Sequence, residues 1–106
     1  MASPDRAIIW SAPAERDIDD IWDYLAAHAS IELADETVSS LFRTCAKLVG
    51  YPFVGRPRDG LIPGLRSILS HPYIVFYRVS GSTIEVVRVL HQRRDIDAIF
   101  ARDDER

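Results

Sequence analysis

The chain has 106 residues, a formal net charge of -3 at pH 7 and one cysteine, Cys45. This length allows a single hydrophobic core of modest stability, which argues against a two-domain enzyme with a separate cofactor domain. One cysteine cannot form an intrachain disulfide and no Cys/His cluster has metal-ligand spacing, so we expect no metal, no cofactor and a reducing, cytoplasmic environment.

The N-terminal half predicts a strand followed by two helices. Residues 1–7 are too short and polar for a secretory leader, and no apolar run in the chain approaches the ~20 residues of a membrane span. Residues 7–10 are an apolar run of strand-forming residues. Ser11 and Ser30 are each placed to cap a helix, and apolar residues recur at three- and four-residue spacing after both. The short link between the helices predicts an antiparallel hairpin.

Acidic residues crowd the first predicted helix at Asp17, Asp19, Asp20 and Asp23. A metal site is one interpretation of this cluster. A solvated acidic face near the positive end of the helix dipole explains it more simply, and we favour that interpretation. Cys45 lies in the apolar stripe of the second helix, so we expect a small core residue rather than a nucleophile.

The C-terminal half changes to the pattern of strands. Residues 50–64 hold three of the six prolines and four of the five glycines, which predicts a loop. The β-branched and aromatic runs 65–69, 73–79 and 83–90 are separated by short turns and predict an antiparallel meander. After it, Asp95 is placed to cap one or two helical turns.

These elements predict one α+β domain with a core of about residues 7–100 and a charged tail at 101–106. Its architecture is an N-terminal strand, an antiparallel helical hairpin packed on one face of an antiparallel β-sheet, and a short C-terminal helical turn. The last two strands are apolar on both alternating faces, whereas one hairpin covers only one face. We expect the second face to bind a partner; the alternative is that the N-terminal strand, the loop and the C-terminal turn cover it.

The negative net charge conceals a positive block. Residues 50–94 contain seven arginines against Asp59 and Glu85, which gives +5, whereas the helices and the tail are acidic. A block of this kind can face an acidic protein segment or a nucleic acid, and the mean charge of the chain does not choose between them.

Four residues of the strand region could carry chemistry. Metal-independent RNA cleavage needs a base, an acid and cations for the phosphate. The candidates, with His71 as an alternative base, are Arg66, Arg78, His91 and Arg93. These residue types are not specific to that reaction, since arginines at strand ends also pair with nearby carboxylates.

Five short motifs follow one another along the chain in a recognisable order. They are residues 14–25, Pro52 with 55–58, 63–67, 73–79 and 89–95. On these residues the chain resembles the RelE/ParE superfamily of toxins from bacterial type II toxin-antitoxin systems, and is closest to the ParE branch. The resemblance covers about residues 7–100, and the fold it implies agrees with the one that the periodicity predicts.

The resemblance to the ParE branch implies a toxin that poisons DNA gyrase without chemistry of its own. It also implies neutralisation by a cognate antitoxin, expected to be a ribbon-helix-helix protein encoded next to it, in a hetero-oligomer. The RelE branch implies instead a ribosome-dependent mRNA endoribonuclease, and a third possibility is a degenerate, non-toxic antitoxin-binding module. The absence of lysine from residues 50–94 and the ending at 91–95 favour the ParE branch.

The expected partner contacts lie on the predicted strands and just after the last one. These residues are Arg66, Tyr73, Phe76, Tyr77, Arg78, Val87, Arg88, His91, Arg93 and Arg94.

Overall fold

A computed structural model describes residues 6–104 and confirms the predicted α+β architecture. Within these residues, no helix is both long enough and apolar enough to cross a membrane. The elements in chain order are β1 (Ala7–Trp10), α1 (Ala12–His28), α2 (Ile31–Gly50), β2 (Arg56–Pro57), β3 (Arg66–Ser70), β4 (Tyr73–Ser80), β5 (Thr83–His91) and α3 (Ile96–Asp104).

The helix caps predicted at Ser11 and Ser30 are present. The Ser11 side chain accepts a hydrogen bond from the Ala14 backbone N–H at 3.1 Å, and Ser30 caps α2 in the same way. The two helices form the predicted hairpin, in which Trp22 Nε1 donates to Asp35 Oδ1 at 2.8 Å. Satisfying the free N–H groups of the first turn is what fixes where each helix begins.

The sheet has the strand order β1-β5-β4-β3-β2. Strands β3, β4 and β5 form the predicted antiparallel meander. The sheet as a whole is mixed, however, because β1 pairs in parallel with the N-terminal half of β5. The two-residue strand β2 adds an antiparallel edge within the segment predicted as a loop.

Helix α3 is longer than the one or two turns predicted, and it extends into the segment predicted as a charged tail. Ile96, Ile99 and Phe100 recur at the spacing of one helix face, and the last two are buried. The apolar stripe gives this helix a surface on which to pack, so it continues past the capped first turn.

The prediction that the second face of the sheet is open for a partner is wrong. Phe76 is 0% exposed, and the Phe100 ring of α3 meets the Phe76 ring edge-on with centroids 4.9 Å apart. Leu65 from the loop and Leu90 complete the buried cluster, and Val87 is half-buried against it. The loop and the C-terminal segment therefore cover this face, which is what the alternative interpretation of the sequence predicted for these two segments. Phe76 is a core residue and not a surface contact.

The helical hairpin covers the opposite face of the sheet. Leu41 of α2 and Val75 and Val86 of the sheet are almost completely buried in this cluster. Cys45 is 2% exposed beside them, as predicted for a core residue. Burial raises the pKa of its thiol to about 12, so the nucleophilic thiolate is strongly disfavoured at neutral pH.

Candidate functional site

Arg66 and Tyr77, two of the predicted partner contacts, hold the loop that precedes β2. The Tyr77 hydroxyl accepts a hydrogen bond from the Gly55 N–H at 2.9 Å, and burial raises the pKa of this fully buried tyrosine. Arg66 Nη1 donates to the carbonyl oxygens of Phe53 at 3.0 Å and Gly55 at 2.7 Å. A Cβ on Gly55 would stand 2.6 Å from the Tyr77 hydroxyl oxygen, so only glycine fits.

Gly55→Ala should lower the free energy of unfolding by about 2 kcal/mol, because the added methyl overlaps Tyr77 and the Ser67 carbonyl oxygen. Urea titration of the purified protein measures this change. Gly60→Ala is the matched control, since nothing lies within 4 Å of a Cβ at that position. A Gly55→Ala protein as stable as the Gly60→Ala protein would contradict the close approach of Tyr77 to the loop.

Arg88 is held between two helices by carboxylates. Its Nε and Nη2 donate to the two oxygens of Asp17 in α1 at 2.7 and 2.8 Å, and its Nη1 donates to Asp103 of α3 at 2.7 Å. The hydrogen bonds and charge of Asp17 raise the pKa of the guanidinium, and the Arg88 side chain is only 13% exposed. We call Asp17, Arg88 and Asp103 the carboxylate clamp. Arg88 is therefore engaged within the chain rather than presented to a partner.

Asp17 is not part of a solvated acidic face, which corrects the expectation for this one residue. Its carboxylate also accepts the Val89 backbone N–H at 2.9 Å, beyond the point where β1 stops pairing with β5. The carboxylate thus accepts a backbone hydrogen bond that a neighbouring strand would otherwise accept at this open sheet edge. Asp19, Asp20 and Asp23 are exposed, as expected. In residues 6–104, no group of three or more His, Cys, Asp or Glu side chains could hold a metal ion.

Three predicted partner contacts converge on one groove between α1 and the end of the sheet. Tyr73, His91 and Arg94 line a cavity of about 470 Å³ together with Tyr24, on the α1 side. The Tyr73 and His91 rings meet edge-on with centroids 5.5 Å apart, and Tyr24 is 61% exposed. Arg93 is exposed just beyond the groove, and its backbone N–H donates to His91 Nδ1 at 3.1 Å.

The lining of this groove includes apolar surface and charges of both signs. Ile21 and Val89 contribute the apolar surface, Asp17 and Asp20 of α1 contribute carboxylates, and Arg94 contributes a guanidinium from the segment after β5. Such a groove can take an apolar side chain of a peptide and orient the peptide by its charge. The sequence analysis does not predict Tyr24 as a site residue. Its position beside the apolar stripe of α1 is the one feature of the sequence that could have indicated this role.

The four residues of the alternative ribonuclease site do not form one cluster, because His91 and Arg93 lie at one end of the sheet and Arg66 and Arg78 lie at the other. Tyr73 pairs with His91 at one end of β4, whereas Arg78 pairs with Glu85 five residues further along, about 17 Å away. Arg78 forms an exposed ion pair with Glu85 at 2.7 Å. Arg66 lies at the same end of the sheet as Arg78 and is likewise far from His91, because its strand partner is Tyr77. Its guanidinium bonds the loop before β2.

The five-stranded mixed sheet, with a helical hairpin on one face and a C-terminal helix on the other, defines a toxin of the RelE/ParE type. The chain superposes on the chromosomal ParDE toxin-antitoxin system of P. aeruginosa with a TM-score of 0.71 and 27% identity, covering 81% of this chain and 95% of that one. It shares the fold of a chain in the RelBE2 toxin-antitoxin complex of Mycobacterium tuberculosis, with a TM-score of 0.56 and 23% identity over 83% of this chain and 99% of that one.

Sequence comparison places the chain within this class. It is 35% identical to Toxin ParE1 of Mycobacterium tuberculosis (strain H37Rv), over 82% of this chain and 90% of that protein. It is 38% identical to Toxin ParE1 of Caulobacter vibrioides, over 77% of this chain and 84% of that protein. Residues 8–96 match the family described as the ParE toxin of the type II toxin-antitoxin system parDE. The chain belongs to the ParE toxin family.

Proposed function

We propose that this protein inhibits growth by binding DNA gyrase and stabilising the complex in which gyrase has cleaved DNA. Membership of the ParE family supports this proposal. The observation that carries it against the ribonuclease alternative is that the four candidates are divided between the two ends of the sheet, with His91 and Arg93 at one end and Arg66 and Arg78 at the other. Groups about 17 Å apart cannot all act on the same phosphodiester, since the groups of one active site must be within hydrogen-bond reach of it.

The proposal predicts inhibition of gyrase-catalysed supercoiling by the purified toxin. Gyrase, relaxed plasmid and ATP are incubated with increasing toxin, and the plasmid topoisomers are separated on a gel. Toeprinting on translating ribosomes tests the ribonuclease alternative in parallel, with His91→Ala as its control. Supercoiling unaffected at any excess of toxin, together with mRNA cleavage that His91→Ala abolishes, would replace this proposal by the alternative.

We further propose that a cognate antitoxin, a ribbon-helix-helix protein encoded next to the toxin, neutralises it by inserting a segment into the groove of Tyr24, Tyr73 and His91. The groove offers apolar surface, and its Arg94 guanidinium attracts a carboxylate of that segment. Named relatives and neighbours from ParDE and RelBE systems support an antitoxin partner. Arg93, exposed beside the groove, extends the positive rim.

Arg94→Glu should reduce co-purification with the antitoxin, and Tyr24→Ala should weaken the complex about thirtyfold or more, since an aromatic hot spot of an interface contributes about 2 kcal/mol or more. Affinity is measured by titration calorimetry with the antitoxin encoded next door. Arg43→Glu is the matched control, because Arg43 is an exposed arginine of α2 that lines neither this groove nor the smaller cavity beside Arg94. Equal losses in Arg94→Glu and Arg43→Glu would place the contact elsewhere.

A further inference from the structure

A second surface lies at the end of α2 and is separate from the antitoxin groove. It begins in the last turn of the helix and includes the following loop, β2 and the start of β3. We call it the loop surface, and its residues are Lys47, Tyr51, Phe53, Val54, Arg56 and Arg66.

The aromatic side chains of the loop surface are unusually exposed. Tyr51 is 72% exposed and Phe53 is 62% exposed, and neither lines the groove described above. The Arg66 guanidinium lies over the Phe53 ring at 5.2 Å from its centroid and bonds the Phe53 carbonyl oxygen. Arg66 therefore supports one side of this ring, while much of the side chain stays open to solvent.

The cations of this surface are not neutralised within the described part of the chain. Residues 37–58 contain no Asp or Glu, and the ion pairs formed within residues 6–104 involve only Arg78 and Arg88. Lys47 and Arg56 are exposed, and Arg66 bonds only carbonyl oxygens. Lys47, Arg56 and Arg66 are thus free to attract a polyanion at this end of the molecule.

We propose that the loop surface binds a DNA strand, with unpaired bases stacked on Tyr51 and Phe53 and phosphates on Lys47, Arg56 and Arg66. Exposed aromatic rings beside unpaired cations are the combination by which proteins bind single-stranded nucleic acid without sequence preference. The choice of DNA rests on the proposed function, since a gyrase poison acts on a complex of protein and cleaved DNA. An acidic peptide is the rival ligand, but peptide anchors fill pockets, and the rings here are open.

Fluorescence anisotropy of a labelled oligothymidylate of about 12 nucleotides tests the proposal with the purified toxin alone. Three phosphate contacts predict that log K falls with log salt at a slope of about -2, since each contact on a single strand contributes about -0.7. Arg56→Ala should reduce the slope to about -1.4, and Tyr51→Ala should weaken binding about tenfold. Leu33→Ala and Arg102→Ala remove an exposed apolar and an exposed basic side chain elsewhere, and should bind as the unchanged protein does.

Several results would overturn the assignment. They are no binding of oligothymidylate, tighter binding of an oligouridylate of equal length, binding of an oligoglutamate peptide only, and equal losses in Tyr51→Ala and Leu33→Ala. Because the assay contains no gyrase, its failure is distinct from failure of the gyrase proposal. A toxin that inhibits gyrase normally with Tyr51→Ala but has lost oligothymidylate binding would show that the DNA contact is dispensable for poisoning.

Discussion

Phe76→Asp is expected to unfold the protein rather than to weaken one binding surface. Phe76 is 0% exposed and packs against Phe100 of α3 and Leu65 of the loop. Removing a buried phenylalanine side chain costs about 3–5 kcal/mol, and a carboxylate without partners in its place adds a desolvation penalty. The sum approaches the whole stability of a small domain, about 5–15 kcal/mol.

Circular dichroism and urea titration measure this effect, and Leu69→Asp provides a control on the same sheet. Leu69 follows Ser67 by two positions and lies on the same face of β3, but it is 58% exposed, so an acidic residue there remains in water. We expect the Leu69→Asp protein to fold with nearly unchanged stability. A cooperatively folded Phe76→Asp protein that had lost only antitoxin binding would show that α3 does not cover this face in solution.

Arg88→Ala should destabilise the protein by about 3 kcal/mol, the second largest effect expected. The substitution leaves the Asp17 carboxylate, whose side chain is 10% exposed, with a single backbone donor at Val89. Removing one partner of a buried ion pair typically costs about 3–5 kcal/mol because the remaining charge stays desolvated. The same change also removes the ion pair that joins α3 to β5, since Asp103 loses its partner.

Two substitutions with smaller expected effects serve as comparisons for the loss of Arg88. Asp103→Ala should cost about 1 kcal/mol or less, because the Asp103 side chain is 35% exposed and Arg88 keeps its paired bonds to Asp17. Arg78→Ala removes an exposed ion pair with Glu85 and should change stability by less than about 1 kcal/mol. Equal effects of Arg78→Ala and Arg88→Ala in urea titrations would refute a buried clamp.

Local signals predicted the elements well. Ser11 and Ser30 fixed the starts of the helices because a capping hydroxyl acts on the residues just after it. The β-branched runs and the short turns between them predicted the antiparallel meander. Gly81 lies in one of these turns and has a φ of +57°, which glycine adopts readily. Each of these features depends on interactions a few residues apart, which a single sequence records directly.

Long-range contacts could not be predicted in the same way. The Asp17 carboxylate meets Arg88 across 71 positions of chain, and nothing in the pattern of α1 distinguishes Asp17 from Asp20. The parallel pairing of β1 with β5 likewise joins the two ends of the domain. The sequence pattern allows a cover of Phe76 by the C-terminal segment, but residues 95–100 predict only one or two helical turns, whereas α3 extends to Asp104.

The candidate site was predicted in part. Tyr73, His91 and Arg94 do converge on one groove, since the ends of β4 and β5 are paired there. Arg66 and Tyr77 instead support the loop, and Arg88 belongs to the carboxylate clamp. The residue type alone does not show whether an arginine bonds groups of its own chain or is open to a partner. The acceptor of its hydrogen bonds comes from a distant part of the chain.

The most direct test of the central claim is the amount of cleaved DNA that gyrase accumulates with the purified toxin. Gyrase and supercoiled plasmid are incubated with the toxin, the reaction is stopped with detergent and protease, and linear plasmid is measured on a gel. We expect linear plasmid to rise with toxin concentration and to fall when the antitoxin is added first. Linear plasmid that remains at the level of gyrase alone, at any excess of folded toxin, would contradict the proposed poisoning of gyrase.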